Sequence, residues 1–235
     1  MTSSNILRPD WSLPNNIEAA VTLRDFGNLA THVGDDPALV ILRRRHLARA
    51  LKLATVPLYL NQQHTNRVSI WPNREHTSDA LIADKPAVAV VLTADCLPLL
   101  LCSKDGQHIA AVHAGWRGLA ADILGQTLRT LKVDARQLKL WIGPAICQRC
   151  YQVGNEVRQA FSNCFDGRSV EQAFSSDGDR WRVDLPLLAE RQARDYGLTE
   201  ITQSNLCTAC SADRFYSYRE NKDRGRFASI IWRKS

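Results

Sequence analysis

The sequence predicts an α+β fold with mixed sheets rather than a doubly wound one. Three observations lead there. Helix and strand patterns alternate irregularly along the 235 residues. Two apolar runs, residues 87–92 and 97–102, lack the polar alternation of a half-exposed strand, so both faces of each are expected to be covered. Two strand-like segments close together near residue 220 read as a hairpin. With 45% hydrophobic and 23% charged residues, usage is ordinary for a globular chain, and one catalytic domain over residues 1–235 is expected.

Taken in order, residues 36–54 read as a helix that Asp35 or Asp36 can cap, with Leu39, Val40, Leu47, Leu51 and Leu53 on its apolar face. Residues 56–61 and 67–71 are short strands. Between the two apolar runs, Pro98 cannot donate to a ladder, so a break or bulge is expected near Cys96. Residues 109–113 form a further strand. Gly115 to Gly118 turn the chain into a helix over 119–132, whose core stripe is Leu119, Ile123, Leu124, Leu128 and Leu131. Residues 138–142 are a strand ending at Gly143-Pro144. Residues 153–161 and 185–196 read as helices, the second capped by Asp184 and stopped at Gly197. Residues 214–219 and 226–233, joined through 221–225, make the expected hairpin.

Lys and Arg total 30 against 24 Asp and Glu, a net charge of +6 that is dispersed along the chain. Such a balance suits an anionic small molecule as well as nucleic acid, and alone it carries no nucleic-acid reading. No stretch of ~18 uninterrupted apolar residues exists, so no membrane span is expected. The first residues lack a basic-then-apolar signal pattern, and seven cysteines cannot all pair. Both point to a reducing cytoplasm. Met1 is the one methionine, and the histidines are 32, 46, 64, 76, 108 and 113. Any metal site must come from that short list, the cysteines and the carboxylates.

Three segments put such side chains where an apolar strand enters a turn: Gln62-Gln63-His64, Thr93-Ala94-Asp95-Cys96-Leu97-Pro98 and Val112-His113-Ala114-Gly115-Trp116-Arg117-Gly118. Imidazole and thiolate both ligate zinc, and three ligands leave a fourth position open. His64, Cys96 and His113 are therefore the candidate ligands. Gly115 and Gly118 permit close backbone approach, and Arg117 supplies a fixed positive fork. Cys96 with His113 also has the residue types of a nucleophile and its base. Asp95 is either a partner of the site or a structural hydrogen-bonding group. Arg24, Arg44 and Arg117 are candidates for binding phosphate, and Trp116 either stacks on a base or belongs to the core. Cys147/Cys150 and Cys207/Cys210 form two C-x-x-C pairs. Two such pairs can signal a structural Cys₄ zinc site, but fifty-six residues separate them, against the ~15–20 of a zinc ribbon, so buried or incidental thiols are the default reading and structural zinc the lesser one.

T-A-D-C-L-P at 93–98, H-A-G-W-R-G at 113–118, G-P-A-I at 143–146, C-Y-Q-V-G at 150–154 and D-R-F-Y-S-Y-R at 213–219 resemble the YfiH family. The family is also called the laccase-domain, polyphenol-oxidase or peptidoglycan-editing-factor family. The resemblance runs from about residue 21 to 232. It implies a mixed-sheet β-sandwich flanked by helices, shared with bacterial deamidating toxins, and a cytoplasmic, mostly monomeric protein. It also implies zinc on His64, Cys96 and His113, and Cys96, His113 and Asp95 are the candidate catalytic residues. The implied chemistry is phosphorolysis of purine nucleosides, with adenosine deamination and use of methylthioadenosine. The partners are then a purine nucleoside and phosphate, with no nucleic acid and no membrane. The family names leave two alternatives: copper-dependent phenol oxidation, and a Cys-His amidase editing peptidoglycan precursors. His₂Cys is also a blue-copper ligand set, but six histidines cannot furnish a laccase-like cluster together with a separate electron-transfer site. The H-x-E and P-C-x-x-C pattern of nucleobase deaminases is absent, so deamination needs a different arrangement.

Three departures from the family pattern lie near the N-terminus. The Gly/Ser-rich loop after Thr22-Leu23-Arg24 is largely missing, Arg43-Arg44 replaces Asn-Arg, and Thr65 stands where Gly is usual. A shortened lid predicts a more open site with weaker substrate binding.

Overall fold

The computed structural model describes residues 5–73 and 77–234, so Met1 and His76 lie outside the described residues. The chain runs β1 (Ile6–Leu7), β2 (Ile17–Thr22), α1 (Pro37–Ala50), β3 (Leu58–Tyr59), β4 (Val68–Ile70), β5 (Ala80–Ala83), β6 (Val88–Thr93), β7 (Leu97–Ser103) and β8 (Ile109–Ala114). It continues through α2 (Trp116–Ala120), α3 (Ile123–Leu131), β9 (Leu138–Ile142), β10 (Gln152–Val153), α4 (Asn155–Ser162), α5 (Gly167–Ala173) and β11 (Phe174–Asp177). The remainder is β12 (Arg180–Val183), α6 (Leu185–Asp195), β13 (Glu200–Gln203), α7 (Tyr218–Asn221) and β14 (Phe227–Arg233).

One sheet has the order β1-β2-β14-β6-β3 and a second β13-β9-β7-β8-β5-β4; β10, β12 and β11 form a small third sheet. Both large sheets are mixed, with β3–β6, β4–β5 and β13–β9 parallel and the other pairs antiparallel.

Alternation along the strands explains the continuous apolar runs. In β6, Ala89 and Val91 face a core shared with Leu100 of β7 and Ala111 of β8. Val88, Val90 and Leu92 pack on the other side with Leu47 and Leu51 from the α1 region. In β7, Leu97, Leu99 and Leu101 pack against Leu124 and Leu128 of α3 and Leu188 of α6. The layers are therefore helix, sheet, sheet and helices, the flanked sandwich that the family resemblance implies.

The break expected near Cys96 is where the chain leaves the β6 sheet and enters the β7 sheet, with Asp95 at φ 84°. Pro98 sits opposite His113 in the β7–β8 register, and its carbonyl accepts the Gly143 N–H at 2.9 Å. Asp36 caps α1 by accepting from Ala38 N, and Asp184 caps α6 by accepting from Leu187 N.

Other expectations are corrected. The helix over 119–132 is two helices, because Asp122 adopts left-handed backbone at φ 64° and caps α3 through Gly125 N. Leu39 is 45% exposed, whereas Val40, Leu47 and Leu51 are buried. There is no hairpin near residue 220. β14 lies between β2 and β6, and residues 214–217 are turn and irregular backbone leading into α7, which takes in 218 and 219. The segment fails to become a strand because its Ser217 hydroxyl and Arg219 N–H are bound to Asp95. Among the described residues, no helix is long and apolar enough to cross a membrane.

Candidate metal centre

The antiparallel β7–β8 register brings the start of β7 beside the end of β8, and with it Cys96 beside His113. His64 comes from the loop after β3, at φ 59°. Its Nε2 lies 3.7 Å from Cys96 Sγ, and its ring stands edge-on to His113 at 4.8 Å between centroids. One ligand atom from each of the three lies within 4.8 Å of the others.

Asp79, fully buried, organises this cluster. Its carboxylate accepts from His113 Nδ1 at 2.8 Å, His64 N at 3.0 Å and Gln63 N at 3.3 Å. Thr65 donates twice more, through its N–H and its hydroxyl, each at 2.7 Å. The threonine that replaces the usual glycine thus adds a bond holding the ligand loop. Gln62 clamps the same loop to β6 through reciprocal 2.8 Å bonds with the Leu92 backbone. Since Asp79 takes the Nδ1 proton of His113, Nε2 is the nitrogen left to serve as a ligand, the carboxylate–histidine arrangement of many metal sites.

The electrostatics follow from these contacts. Burial pushes Asp79 up, but the bonds from His113 and Thr65 outweigh it and hold the carboxyl at about 2. Burial lowers His113, yet Asp79 and Cys96 carry it up to about 9. Burial raises Cys96, and the bonds from His113 and His64 bring it down to about 6. Without metal, Cys96 is therefore a thiolate above pH 6 and loses that form as pH falls through 6. Iodoacetamide labelling of Cys96 in chelator-treated protein is expected to reach half its maximal rate near pH 6, against ~8.5 for an ordinary thiol. A midpoint above pH 8 contradicts the ion-paired arrangement.

Gly115 leaves room for the ligands. A Cβ there lies 2.7 Å from His64 Cδ2 and 3.1 Å from Cys96 Sγ. Gly115→Ala is expected to lower zinc affinity by roughly 10–100-fold by displacing His64, with the circular dichroism of the fold retained. Unchanged affinity in a competition titration with a chromophoric chelator means the glycine is not needed.

The other expected site residues lie elsewhere. Asp95 is held by Thr208 Oγ1 at 2.7 Å, Ser217 Oγ at 2.8 Å and Arg219 N at 2.8 Å, anchoring residues 208–219 beside Cys96. Arg24 forms a forked ion pair with Asp223 at 2.6 and 3.0 Å. Arg44 donates twice to the Leu29 carbonyl and stacks on Tyr59 at 3.7 Å. Arg117 is exposed, lies over Trp116 at 4.3 Å and lines a separate cavity of about 210 Å³ with Tyr151 and Arg219. The short connection after Arg24 is closed by Arg43, whose Nε occupies the space a Cβ on Gly27 would fill.

Sequence reasoning missed Asp79, His32, Thr93 and Arg226. The metal cluster opens into a cavity of about 80 Å³ lined by His32, Gln62, Thr93 and Arg226, which adjoins another of about 280 Å³ through His32 and Arg226. The Thr93 hydroxyl is buried without a hydrogen-bond partner among the described residues. Burial, with Arg226 and Arg44 nearby, lowers His32, leaving it neutral at pH 7. The two C-x-x-C pairs, expected to be incidental, also meet: their four sulfurs lie within 4.8 Å of one another. All seven cysteines are free.

A His-Cys-His cluster backed by a buried aspartate, set where two mixed sheets meet, is a candidate metal centre in a sandwich of the laccase-like class. The chain belongs to the YfiH family, described as multi-copper polyphenol oxidoreductase laccase, with residues 21–234 matched. It is 39% identical to the purine nucleoside phosphorylase PA4543 of Pseudomonas aeruginosa, over 96% of this chain and 97% of that one. It is 35% identical to the purine nucleoside phosphorylase YfiH of Escherichia coli, over 97% and 99%. Among solved structures it is similar to Neisseria meningitidis protein NMB0706, with a TM-score of 0.92, 33% identity and coverage of 99% and 100%. YlmD of Geobacillus stearothermophilus also superposes at 0.92, covering 100% and 98%; at 23% identity that likeness speaks to the fold alone.

Proposed function

We propose that the protein is a zinc-dependent purine nucleoside phosphorylase whose site also serves adenosine deamination and methylthioadenosine phosphorolysis. The observation that carries this reading is the convergence of His64, Cys96 and His113 on a cavity bordered by a cation, in a chain whose relatives are named for that activity. The donor set fits zinc: one thiolate and two imidazoles, one of them fixed in tautomer by Asp79. Bound there, the metal supplies Lewis acidity and a lowered water pKa.

The chain's own groups supply the rest. Arg24 and Arg44 do not line the cavity, so the phosphate falls to half-buried Arg226, whose Nη1 is braced by the carbonyls of Arg224 and Gly225, with exposed Arg224 beside it. In phosphorolysis the bond from C1′ to the base breaks as a phosphate oxygen bonds C1′. A guanidinium holding that phosphate lowers the barrier by orienting it. The unpartnered Thr93 hydroxyl can bond a ribose hydroxyl, and neutral His32 can exchange a proton with the leaving base. Free cysteines fit a reducing cytoplasm, and the family resemblance adds a monomer acting on small molecules, without nucleic acid or membrane.

The test measures metal content and then inosine and adenosine turnover with and without phosphate. Ribose 1-phosphate is expected only with phosphate, and ammonia from adenosine in either case. Zinc-loaded protein with no phosphate-dependent turnover overturns the reading.

One observation favours a second reading. Cys96, His113 and Asp79 line up as nucleophile, base and orienting carboxylate, the arrangement of a cysteine amidase suited to editing a peptidoglycan precursor. An acyl adduct on Cys96 that forms only after zinc removal selects it. For copper chemistry, the described residues offer one His₂Cys group and one Cys₄ group as metal-binding clusters, neither of them a histidine-rich copper cluster.

A further inference from the structure

We propose that Cys147, Cys150, Cys207 and Cys210 form a second, structural metal site that holds one zinc ion through four thiolates. Cys147 Sγ lies 3.9 Å from Cys210 Sγ, and Cys150 Sγ 3.4 Å from it. A tetrahedron with zinc–sulfur bonds of ~2.3 Å has edges of about 3.8 Å. The four sulfurs, all within 4.8 Å, therefore enclose the volume of a single ion, too tight for a cluster of several irons. The distances exceed the ~2.05 Å of a disulfide.

Two C-x-x-C turns meet across 56 intervening residues for an identifiable reason. Ala145 and Cys207 form a parallel bridge, with Ala145 N donating to Leu206 O at 3.2 Å and Thr208 N to Ala145 O at 3.1 Å. The bridge lays the turns side by side. In the first, Cys150 N donates to Cys147 O at 3.0 Å, which brings residues i and i+3 to one side of a 3₁₀ turn.

The surroundings favour thiolates. Cys207 Sγ accepts from Cys147 N at 3.3 Å and from Cys210 N at 3.4 Å, and Arg149 Nη2 lies 3.2 Å from Cys210 Sγ. Backbone dipoles and a guanidinium aimed at sulfur offset the net −2 charge of a zinc tetrathiolate. These cysteines are also not placed as small hydrophobes. Cys102 is 1% exposed, while Cys147, Cys150 and Cys207 are half-buried and Cys210 is exposed. Four protein ligands close the coordination shell, so the role is structural. The ion ties the 145–150 loop to the segment whose Thr208, Ser217 and Arg219 hold Asp95, the neighbour of Cys96.

This site shares no ligand with the His64, Cys96 and His113 centre, so the two succeed or fail separately. The test measures zinc per chain by mass spectrometry in the full-length protein, in Cys96→Ser and in Cys147→Ser/Cys210→Ser. About two ions are expected in the first and about one in each variant. One ion in the parent and none in Cys96→Ser overturns the proposal and leaves the other centre standing. One ion in both supports the proposal and sinks the other centre. Because the double variant can fail to fold, the unmodified protein gives a second readout. Maleimide is expected to spare all four cysteines until a chelator is added, then label them together. Free labelling of the four in zinc-replete protein, or a Cys150–Cys210 disulfide under reducing conditions, overturns the proposal.

Discussion

Replacing Asp79 with alanine is expected to cost about 3–5 kcal/mol of folding stability and to lower zinc affinity by at least ~10–100-fold. No other carboxylate in the centre bonds so many of its parts: an imidazole nitrogen, three backbone N–H groups and a hydroxyl all converge on it. Truncation leaves the buried His113 Nδ1 and the part-buried loop donors without their acceptor and frees the His113 ring to rotate. The pH dependence has a definite sign. Asp79 is depressed from 3.8 to about 2, so its contribution is complete above pH 4 and disappears as pH falls through 2. His113 is raised from 6.5 to about 9 in the metal-free protein, so its contribution is complete below pH 6.5 and disappears as pH rises through 9. The metal-free parent should thus gain most over Asp79→Ala between pH 4 and 6.5 in urea titrations, and the gap should narrow toward pH 9. Asp79→Asn keeps the volume and one acceptor, and is expected to recover part of the stability but little of the affinity. Equal stability and equal zinc affinity in Asp79→Ala mean that the carboxylate is not the organiser of the centre.

Cys96→Ser is expected to remove the ion from the His64 and His113 pair and to reduce nucleoside turnover by at least ~10²–10³-fold, the loss seen when an electrostatic stabiliser is removed from a reacting centre. The hydroxyl is as small as the thiol but does not ionise near neutral pH, so the one anionic ligand is lost. The fold should survive, because Cys96 is only half-buried and the crossing between sheets is held by Asp95 rather than by the sulfur. Inosine turnover with phosphate, measured beside metal content, is the check. Full turnover in a variant depleted of zinc refutes metal participation. Turnover abolished while the variant still holds as many ions as the parent means that the sulfur does more than hold the metal.

What could be read from the sequence is what local pattern encodes. The unbroken apolar runs of β6 and β7 announced two-sided burial, and the ends of β7 and β8 announced Cys96 and His113. Asp79 escaped notice because its meaning depends on pairings distant in sequence. Its carbonyl accepts the His113 N–H, across the antiparallel β5–β8 pair. Arg226 was hidden in a segment read as one arm of a hairpin, and β14, which it precedes, pairs instead with β2 and β6. Spacing rules did not reveal that the two C-x-x-C pairs meet, since ribbon spacing assumes that one local loop joins the turns. Here a backbone bridge between Ala145 and Cys207 does so. The left-handed Asp122 that splits one expected helix in two leaves no trace in hydrophobic periodicity.

The central position of β14 shapes the birth of the molecule on the ribosome. Ala228 donates its N–H to the hydroxyl of Thr22, 206 residues earlier in the chain. Until that late strand emerges, β2 and β6 have no strand between them, and each presents an unpaired edge to other nascent chains. The six-stranded sheet has all its strands by Gln203 and is complete in sequence before β14 is translated. Synthesis therefore passes through a stage in which one half of the sandwich can assemble while the other remains an open slot. That stage is slow to resolve because it awaits a contact of very long range, and it is the one at which a chaperone has most to protect.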